Sequence, residues 1–121
     1  LSHDYDGKIH ICEGYATGCS IYEAIGAPVV CALNNHNLIK VCESLRREFK
    51  HAQLVICADN DAWTKDNPGV TAANKAQKST GAIIRVPNFY SYDQSMKPTD
   101  FNDLFCLAVI EAVENQLLEQ C

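Results

Sequence analysis

The chain has 121 residues, of which 47% are apolar, and it carries a net charge of −5. This length fits one domain, and the apolar content fits a packed core and excludes a disordered chain. The negative charge argues against binding nucleic acid by phosphate neutralisation alone, although it suits a site that collects cations. No segment approaches the roughly 20 apolar residues of a membrane span, and no signal peptide is recognisable, which predicts a cytoplasmic protein.

Four short apolar segments alternate with longer segments of helical period. The segments rich in Val and Ile predict strands at Lys8–Cys12, Pro28–Leu33, Gln53–Ala58 and Ala82–Val86. The middle two are apolar nearly throughout, which is typical of strands covered on both faces. The intervening segments are too long for hairpins and predict right-handed helical crossovers. The sequence therefore predicts an α/β fold with a mainly parallel four-stranded sheet and helices on both faces.

Three helices are predicted between these strands. The first runs from Gly14 to Ile25 and stops at Gly26, a favoured residue after a helix end. The second is indicated by apolar residues at helical spacing, namely Leu38, Val41, Cys42, Leu45 and Phe49. The third begins at Asn67-Pro68, with Asn as the cap, and is closed by Gly81.

The C-terminal third begins with an irregular stretch, Asn88–Pro98, and turns helical again from Thr99 to Leu117. The pattern fits two short helices with a bend or one long helix. We expect a single domain over residues 1–121, with a core from about residue 8 to 105 and a C-terminal helix from about 106 to 120. Because the chain starts at Leu1, we also expect it to be excised from a longer protein.

The seven cysteines include no C-x-x-C pair, which disfavours a zinc site. Cys12, Cys31 and Cys57 lie within apolar segments, where a free thiol behaves as a small hydrophobic group. The odd count at such positions predicts a reducing compartment.

Carboxylates follow three of the four predicted strands. Glu13 follows the first, Asp59-Asn60-Asp61 follows the third, and Asp100–Asp103 comes after the fourth, beyond the irregular stretch. In an open parallel sheet, ligands bind beyond the carboxyl ends of the strands. Two carboxylates about 4 Å apart repel by roughly 1 kcal/mol in water and by more in a dry cleft, and a divalent cation removes that repulsion.

Each motif by itself has a simpler explanation. Asp-Asn-Asp is also a common turn, and Thr99 with Asn102 is also a helix cap. The combination at three strand ends favours a magnesium site, because Mg²⁺ prefers oxygen ligands and takes one or two carboxylates together with substrate phosphate. Gly14, directly after Glu13, would let a phosphate approach the backbone.

The order of these motifs resembles the Toprim domain shared by bacterial-type primases, topoisomerases and related nucleases. The resemblance covers about Ile9 to Leu104 and is strongest to primases encoded by plasmids and phages. It is carried by the segments Glu13–Thr17, Ala58–Asp61 and Pro98–Leu104.

The resemblance implies a Mg²⁺ (or Mn²⁺) site in which Asp59 and Asp61 are the main ligands. Glu13 would then serve as general acid/base or as a further ligand. The third acidic motif of the family, which shapes the metal site, corresponds to Asp100, Asn102 and Asp103. The sequence departs from many primases at Thr17, where they carry another acidic residue, and in its longer loop after Asp61.

That loop and the irregular stretch contain candidate nucleic-acid contacts. Lys65 precedes a helix N-terminus and could contact a phosphate, although a solvated lysine is as common. Trp63 could stack on a base or cover the sheet edge. Aromatic residues with a nearby lysine could hold a single strand or anchor their loop; these are Phe89, Tyr90, Tyr92 and Lys97.

The leading functional prediction is the catalytic domain of a DNA primase, which makes RNA primers on single-stranded DNA from nucleoside triphosphates. Further partners would be a replicative helicase or a helicase domain of the parent chain, and no membrane. The isolated domain is not expected to prime alone, because it has neither a zinc module nor a basic template groove. The alternatives are a metal-dependent nuclease and a non-catalytic interaction domain. A receiver-like signalling module is disfavoured, because its acidic pair follows the first strand.

Overall fold

Strands and helices alternate along the chain in the predicted order. The structure is a computed structural model and describes residues 1–108 and 110–119. In chain order the elements are β1 (Lys8–Cys12), α1 (Tyr15–Ile25), β2 (Val29–Cys31), α2 (Asn35–Glu48), β3 (Gln53–Cys57), α3 (Pro68–Thr80), β4 (Ile83–Arg85), α4 (Phe101–Leu107) and α5 (Ile110–Glu119). Gly26 and Gly81 end α1 and α3 with φ of 64° and 73°, in the left-handed region that glycine tolerates best.

The four strands form one parallel sheet in the order β2-β1-β3-β4, which confirms the predicted α/β architecture. Strands β1 and β3 are central, with Cys12 opposite Cys57. The edge strands β2 and β4 are shorter than predicted, at three residues each, and are only partly buried. Coverage on both faces is confirmed for β3 and, in part, for β2, where Val30 packs against one hydrophobic cluster and Val29 and Cys31 pack against the other.

Each face of the sheet carries its own hydrophobic cluster. Side chains alternate across a strand, so Ile9 and Ile11 pack with α2 and α3 on one face. Cys12 packs with α1, α4 and α5 on the other face. Helices on both faces are thus confirmed.

The C-terminal region forms two helices with a bend between them, which is one of the two alternatives that the sequence pattern left open. Helix α4 ends at Leu107, and the backbone of Ala108 is extended, with φ of −125°. The predicted end near residue 120 lies outside the described residues. Phe101 and Leu104 are fully buried between α1 and the sheet, which explains why this segment is apolar on nearly every side. Throughout residues 1–108 and 110–119, the helices are too short or too polar to cross a bilayer.

One buried polar side chain gives the fold a pH dependence. The His10 ring is 1% exposed, and its Nδ1 atom has no hydrogen-bond partner among the described residues. Burial, helped by the charge of Lys8, lowers the pKa of His10 to about 4. The fold therefore accommodates the neutral ring, whereas the unfolded chain binds a proton below about pH 6.5.

We predict that lowering the pH from 7 to 5 costs about 1–2 kcal/mol of stability through His10, since one pKa unit corresponds to about 1.4 kcal/mol. His10→Leu should remove this contribution, whereas His51→Leu, at an exposed residue, should leave it unchanged. Urea unfolding at the two pH values measures the difference from wild type. An identical pH response of wild type and His10→Leu would contradict the prediction.

Candidate metal centre

Glu13 and Asp59 meet because their strands are neighbours in register. Cys12 and Cys57 are paired across β1 and β3, so Glu13 lies one residue and Asp59 two residues beyond the paired ends. The Glu13 carboxyl lies within hydrogen-bonding reach of Asp59, and both this contact and its charge raise the pKa of Asp59. The central parallel pair therefore places two acidic groups side by side at the carboxyl edge of the sheet.

Asp59 lies in an environment that disfavours its charge. Burial is the main cause that raises its pKa to about 8, followed by the hydrogen bond to Glu13 and the charges of Glu13, Asp100 and Asp61. Its Oδ1 atom is buried and accepts no hydrogen bond from the described residues. An unpaired carboxylate oxygen facing other acidic groups is a suitable ligand for a cation.

Asp100 joins this cluster from the N-terminus of α4. Its side chain caps the helix by accepting the Asp103 backbone N–H at 2.7 Å, and it also receives a hydrogen bond from the Thr17 hydroxyl. Burial nevertheless raises the pKa of Asp100 above its usual value. Thr17 is 2% exposed. The residue that departs from the family pattern is therefore a donor that orients a neighbouring carboxylate.

Asp61 faces the N-terminus of α3. Its Oδ2 atom accepts the Gly69 backbone N–H at 2.8 Å, where the helix dipole favours negative charge. The side-chain amide of Asn67 closes the loop between β3 and α3. Its Oδ1 atom accepts the Asp61 backbone N–H at 2.8 Å, and its Nδ2 atom donates to Asn60 Oδ1 at 2.9 Å. Sequence reasoning identified Asn67 only as a helix cap.

Gly69 is a site residue that sequence reasoning missed. A Cβ at this position would overlap the Asp59 carbonyl oxygen and lie 2.9 Å from Asp61 Oδ2. Because Gly69 has no side chain, the start of α3 packs directly against the loop that carries Asp59 and Asp61, here called the acidic loop. Only its place in the first turn of a predicted helix, directly after Asn67-Pro68, could have suggested this.

The side chains of Asp103 and Asn102 form hydrogen bonds with other residues of the protein. Asp103 Oδ2 accepts the backbone N–H groups of Thr99 at 2.8 Å and of Asp100 at 3.3 Å, completing a capping box. Asn102 Oδ1 accepts the Ser20 hydroxyl at 2.8 Å and so ties α4 to α1. Their metal and nucleotide roles stay predictions.

Gly14 follows Glu13 in the chain, and Lys65 lies in the same loop as Asp61. Gly14 precedes α1, and a Cβ there would contact only Thr17 Oγ1, at 3.8 Å, so packing within the domain does not demand glycine. Lys65 is exposed in the loop between β3 and α3. Their proposed phosphate contacts also stay predictions.

The cluster has the composition of a magnesium site that uses few protein ligands. Within the described residues, no three Asp, Glu, His or Cys side chains are arranged to hold an ion together. One oxygen each of Asp61 and Asp103 accepts backbone N–H groups, whereas the buried Oδ1 atom of Asp59 has no hydrogen-bond partner among the described residues. Because Mg²⁺ usually takes one or two carboxylates and completes its shell with water and phosphate, the residues fit this ion.

Comparison with known proteins places the chain in a family. The sequence profile of the Toprim domain matches residues 8–111, and the chain therefore belongs to the Toprim family. Toprim domains generally bind a divalent metal.

Two curated relatives are both named DNA primase TraC, from Escherichia coli. One is 37% identical over 81 residues, covering 64% of this chain and 8% of the relative. The other is 32% identical over 83 residues, covering 65% of this chain and 6% of the relative. The chain thus spans less than a tenth of the length of either relative. No solved structure matches it.

The raised pKa of Asp59 predicts that its charge destabilises the fold. The unfolded carboxyl ionises near pH 4 and the folded one near 8, so the cost grows between these values and is complete above pH 8. Without added metal, Asp59→Asn should therefore raise Tm at pH 8, by about 5 °C or more, and by little at pH 4. Asp4→Asn, at an exposed residue, is the control. A lower Tm of Asp59→Asn at pH 8 would refute this account.

Gly69→Ala should displace the acidic loop, because the atoms it would meet include backbone. We expect a loss of about 1–3 kcal/mol in stability, as for other overpacked sites, and at least tenfold weaker Mn²⁺ binding. Lys75→Ala, at an exposed position of the same helix, should change neither. Urea unfolding and Mn²⁺ titration test this, and unchanged Mn²⁺ affinity in Gly69→Ala would show that the close contact is dispensable.

Proposed function

We propose that this chain is the catalytic Toprim domain of a DNA primase, which binds Mg²⁺ (or Mn²⁺) and transfers nucleotides to make RNA primers on single-stranded DNA. The observation that supports the proposal is the convergence at one sheet edge of Glu13 after β1, Asp59 and Asp61 after β3, and Asp100 before α4. The naming of both relatives as DNA primases supports the same reaction.

In this proposal Asp59 and Asp61 hold the ion, with Glu13 as a further ligand and Asp100 and Asp103 shaping the site. When bound, the metal would neutralise phosphate charge and orient the attacking and leaving oxygens. The raised pKa of Asp59 means that its proton must leave before it can coordinate.

The nucleotidyl transfer follows from the groups beside the ion. The 3′-hydroxyl of the growing primer attacks the α-phosphate of a nucleoside triphosphate, a new P–O bond forms, and pyrophosphate leaves. In this proposal Glu13 takes up the hydroxyl proton as general base. Gly14 would leave space for a phosphate, Asn102 would contact the nucleotide from the third acidic motif, and Lys65 would supply a positive charge from its loop. The protein thus contributes positioning and charge balance rather than covalent chemistry.

The proposed partners are single-stranded DNA and nucleoside triphosphates. A replicative helicase, or a helicase domain in the same polypeptide, would supply the unwound template. A plasmid- or phage-encoded primase works on DNA in the cytoplasm, where thiols such as Cys12 and Cys57 stay reduced.

The test is a primer-synthesis assay with the full-length parent protein on single-stranded DNA, with ribonucleotides and Mg²⁺. The double variant Asp59→Ala, Asp61→Ala should lose activity by at least about 100-fold, the range that positioned catalytic groups contribute. The matched control Asp4→Ala, Asp66→Ala removes two exposed carboxylates and should retain it. DNA cleavage without primer synthesis in the same buffer would support the nuclease alternative instead.

Metal binding is measured on the same variants by Mn²⁺ titration. Wild type should bind with micromolar-to-millimolar affinity, and the double variant should not bind measurably. Equal binding by the two would contradict the proposed metal site. Metal binding with neither primer synthesis nor cleavage by the full-length protein would indicate a non-catalytic domain.

A further inference from the structure

A second site lies next to the acidic cluster. A cleft of about 610 Å³ opens between the loop after β3 and the segment that follows β4. Its volume falls within the roughly 300–1,000 Å³ of small-molecule sites. Asn60 and Trp63 line one side of the cleft, and Pro87, Phe89, Tyr90 and Pro98 line the other.

The lining is aromatic and amide-rich. Trp63, Phe89 and Tyr90 provide rings, and Asn60, Asn88 and Gln94 provide amides. The lining residues that the structure describes include no charged side chain. Such a surface suits a neutral, planar ligand with hydrogen-bonding edges and does not suit a phosphate group. A nucleobase has this chemistry.

Two of the rings are accessible to a ligand. Trp63 is 48% exposed, and its Nε1–H donates to the Pro98 carbonyl at 3.2 Å, which holds the indole across the mouth of the cleft. Tyr90 is 90% exposed, and its backbone N–H is held by the Asn88 side chain at 2.9 Å. An anchored indole and an exposed phenol on one cleft are suited to stacking.

The cleft adjoins the acidic cluster through one residue. Asn60 lines the cleft and lies between Asp59 and Asp61 in the chain. Its backbone N–H donates to the Thr99 carbonyl at 2.6 Å, and its side chain donates to the Pro87 carbonyl at 3.4 Å. A strand with one base in the cleft would therefore bring its neighbouring nucleotide towards the carboxylates.

We propose that this cleft binds an unpaired base of single-stranded DNA by stacking on Trp63 and Tyr90. The inference rests on the proposed function and assigns a place for the strand. A strand is favoured over a free nucleotide because the uncharged lining offers nothing to a triphosphate. Lys65 and Lys97 are exposed and lie two residues from Trp63 and one residue from Pro98 in the chain, so positive charge is available near the cleft for the phosphates of a strand.

Trp63 is the only tryptophan of the chain, so its fluorescence reports directly on this cleft. Short single-stranded DNA, titrated into the domain in EDTA at low salt, should quench it saturably. Tyr90→Ala should weaken binding about tenfold, as the loss of one stacking contact implies. Tyr22→Ala, which truncates an exposed tyrosine on α1 outside the cleft lining, should leave the affinity unchanged.

Because EDTA removes divalent cations, quenching measured in its presence tests the cleft independently of the proposed metal site. Asp59→Asn should still be quenched by DNA in EDTA, because the variant alters the acidic cluster and not the cleft lining. Unchanged Mn²⁺ affinity of this variant, together with retained quenching, would refute the metal site and leave the cleft standing. Absence of quenching, or equal affinities of Tyr90→Ala and Tyr22→Ala, would overturn the inference even where the full-length protein makes primers. Equally tight quenching by duplex DNA or by a free nucleoside triphosphate would also overturn it.

Discussion

The register between β1 and β3 is the constraint on which the rest of the site depends. It places Glu13 beside Asp59 at the end of two central parallel strands, where burial makes a second negative charge unfavourable. Neighbouring groups limit the cost, since Thr17 donates to Asp100 and the Gly69 N–H donates to Asp61. Strongly shifted carboxyl groups are typical of functional sites, where stability is given up for a charge arrangement that a ligand completes.

The loops around this edge are joined to each other by hydrogen bonds between side-chain groups and backbone carbonyls, in addition to the packing of buried Phe89 in the core. Asn60 contacts Pro87 and Thr99, Asn67 contacts Asn60, and Trp63 contacts Pro98. These bonds join the loop after β3 to the stretch before α4, which are separated by a whole helix and strand in sequence. The acidic cluster and the aromatic cleft are consequently two sides of one hydrogen-bonded unit.

The net negative charge limits how this domain by itself could bind nucleic acid. With a net charge of −5, it has little capacity for phosphate neutralisation, which dominates affinity for nucleic acid. The chain covers less than a tenth of its primase relatives.

The sequence by itself determined the α/β alternation, the helix ends at Gly26 and Gly81, and the family. Apolar periodicity and capping chemistry are local properties, and the order of the motifs can be read along the chain without knowing the fold. Only the tertiary structure decided that β2 lies at an edge, that the chain bends at Ala108, and that Thr17 and Gly69 contact the acidic groups. Trp63 and Tyr90 likewise share a cleft only after folding. These facts depend on strand order and on contacts between residues far apart in the chain, which no local pattern encodes.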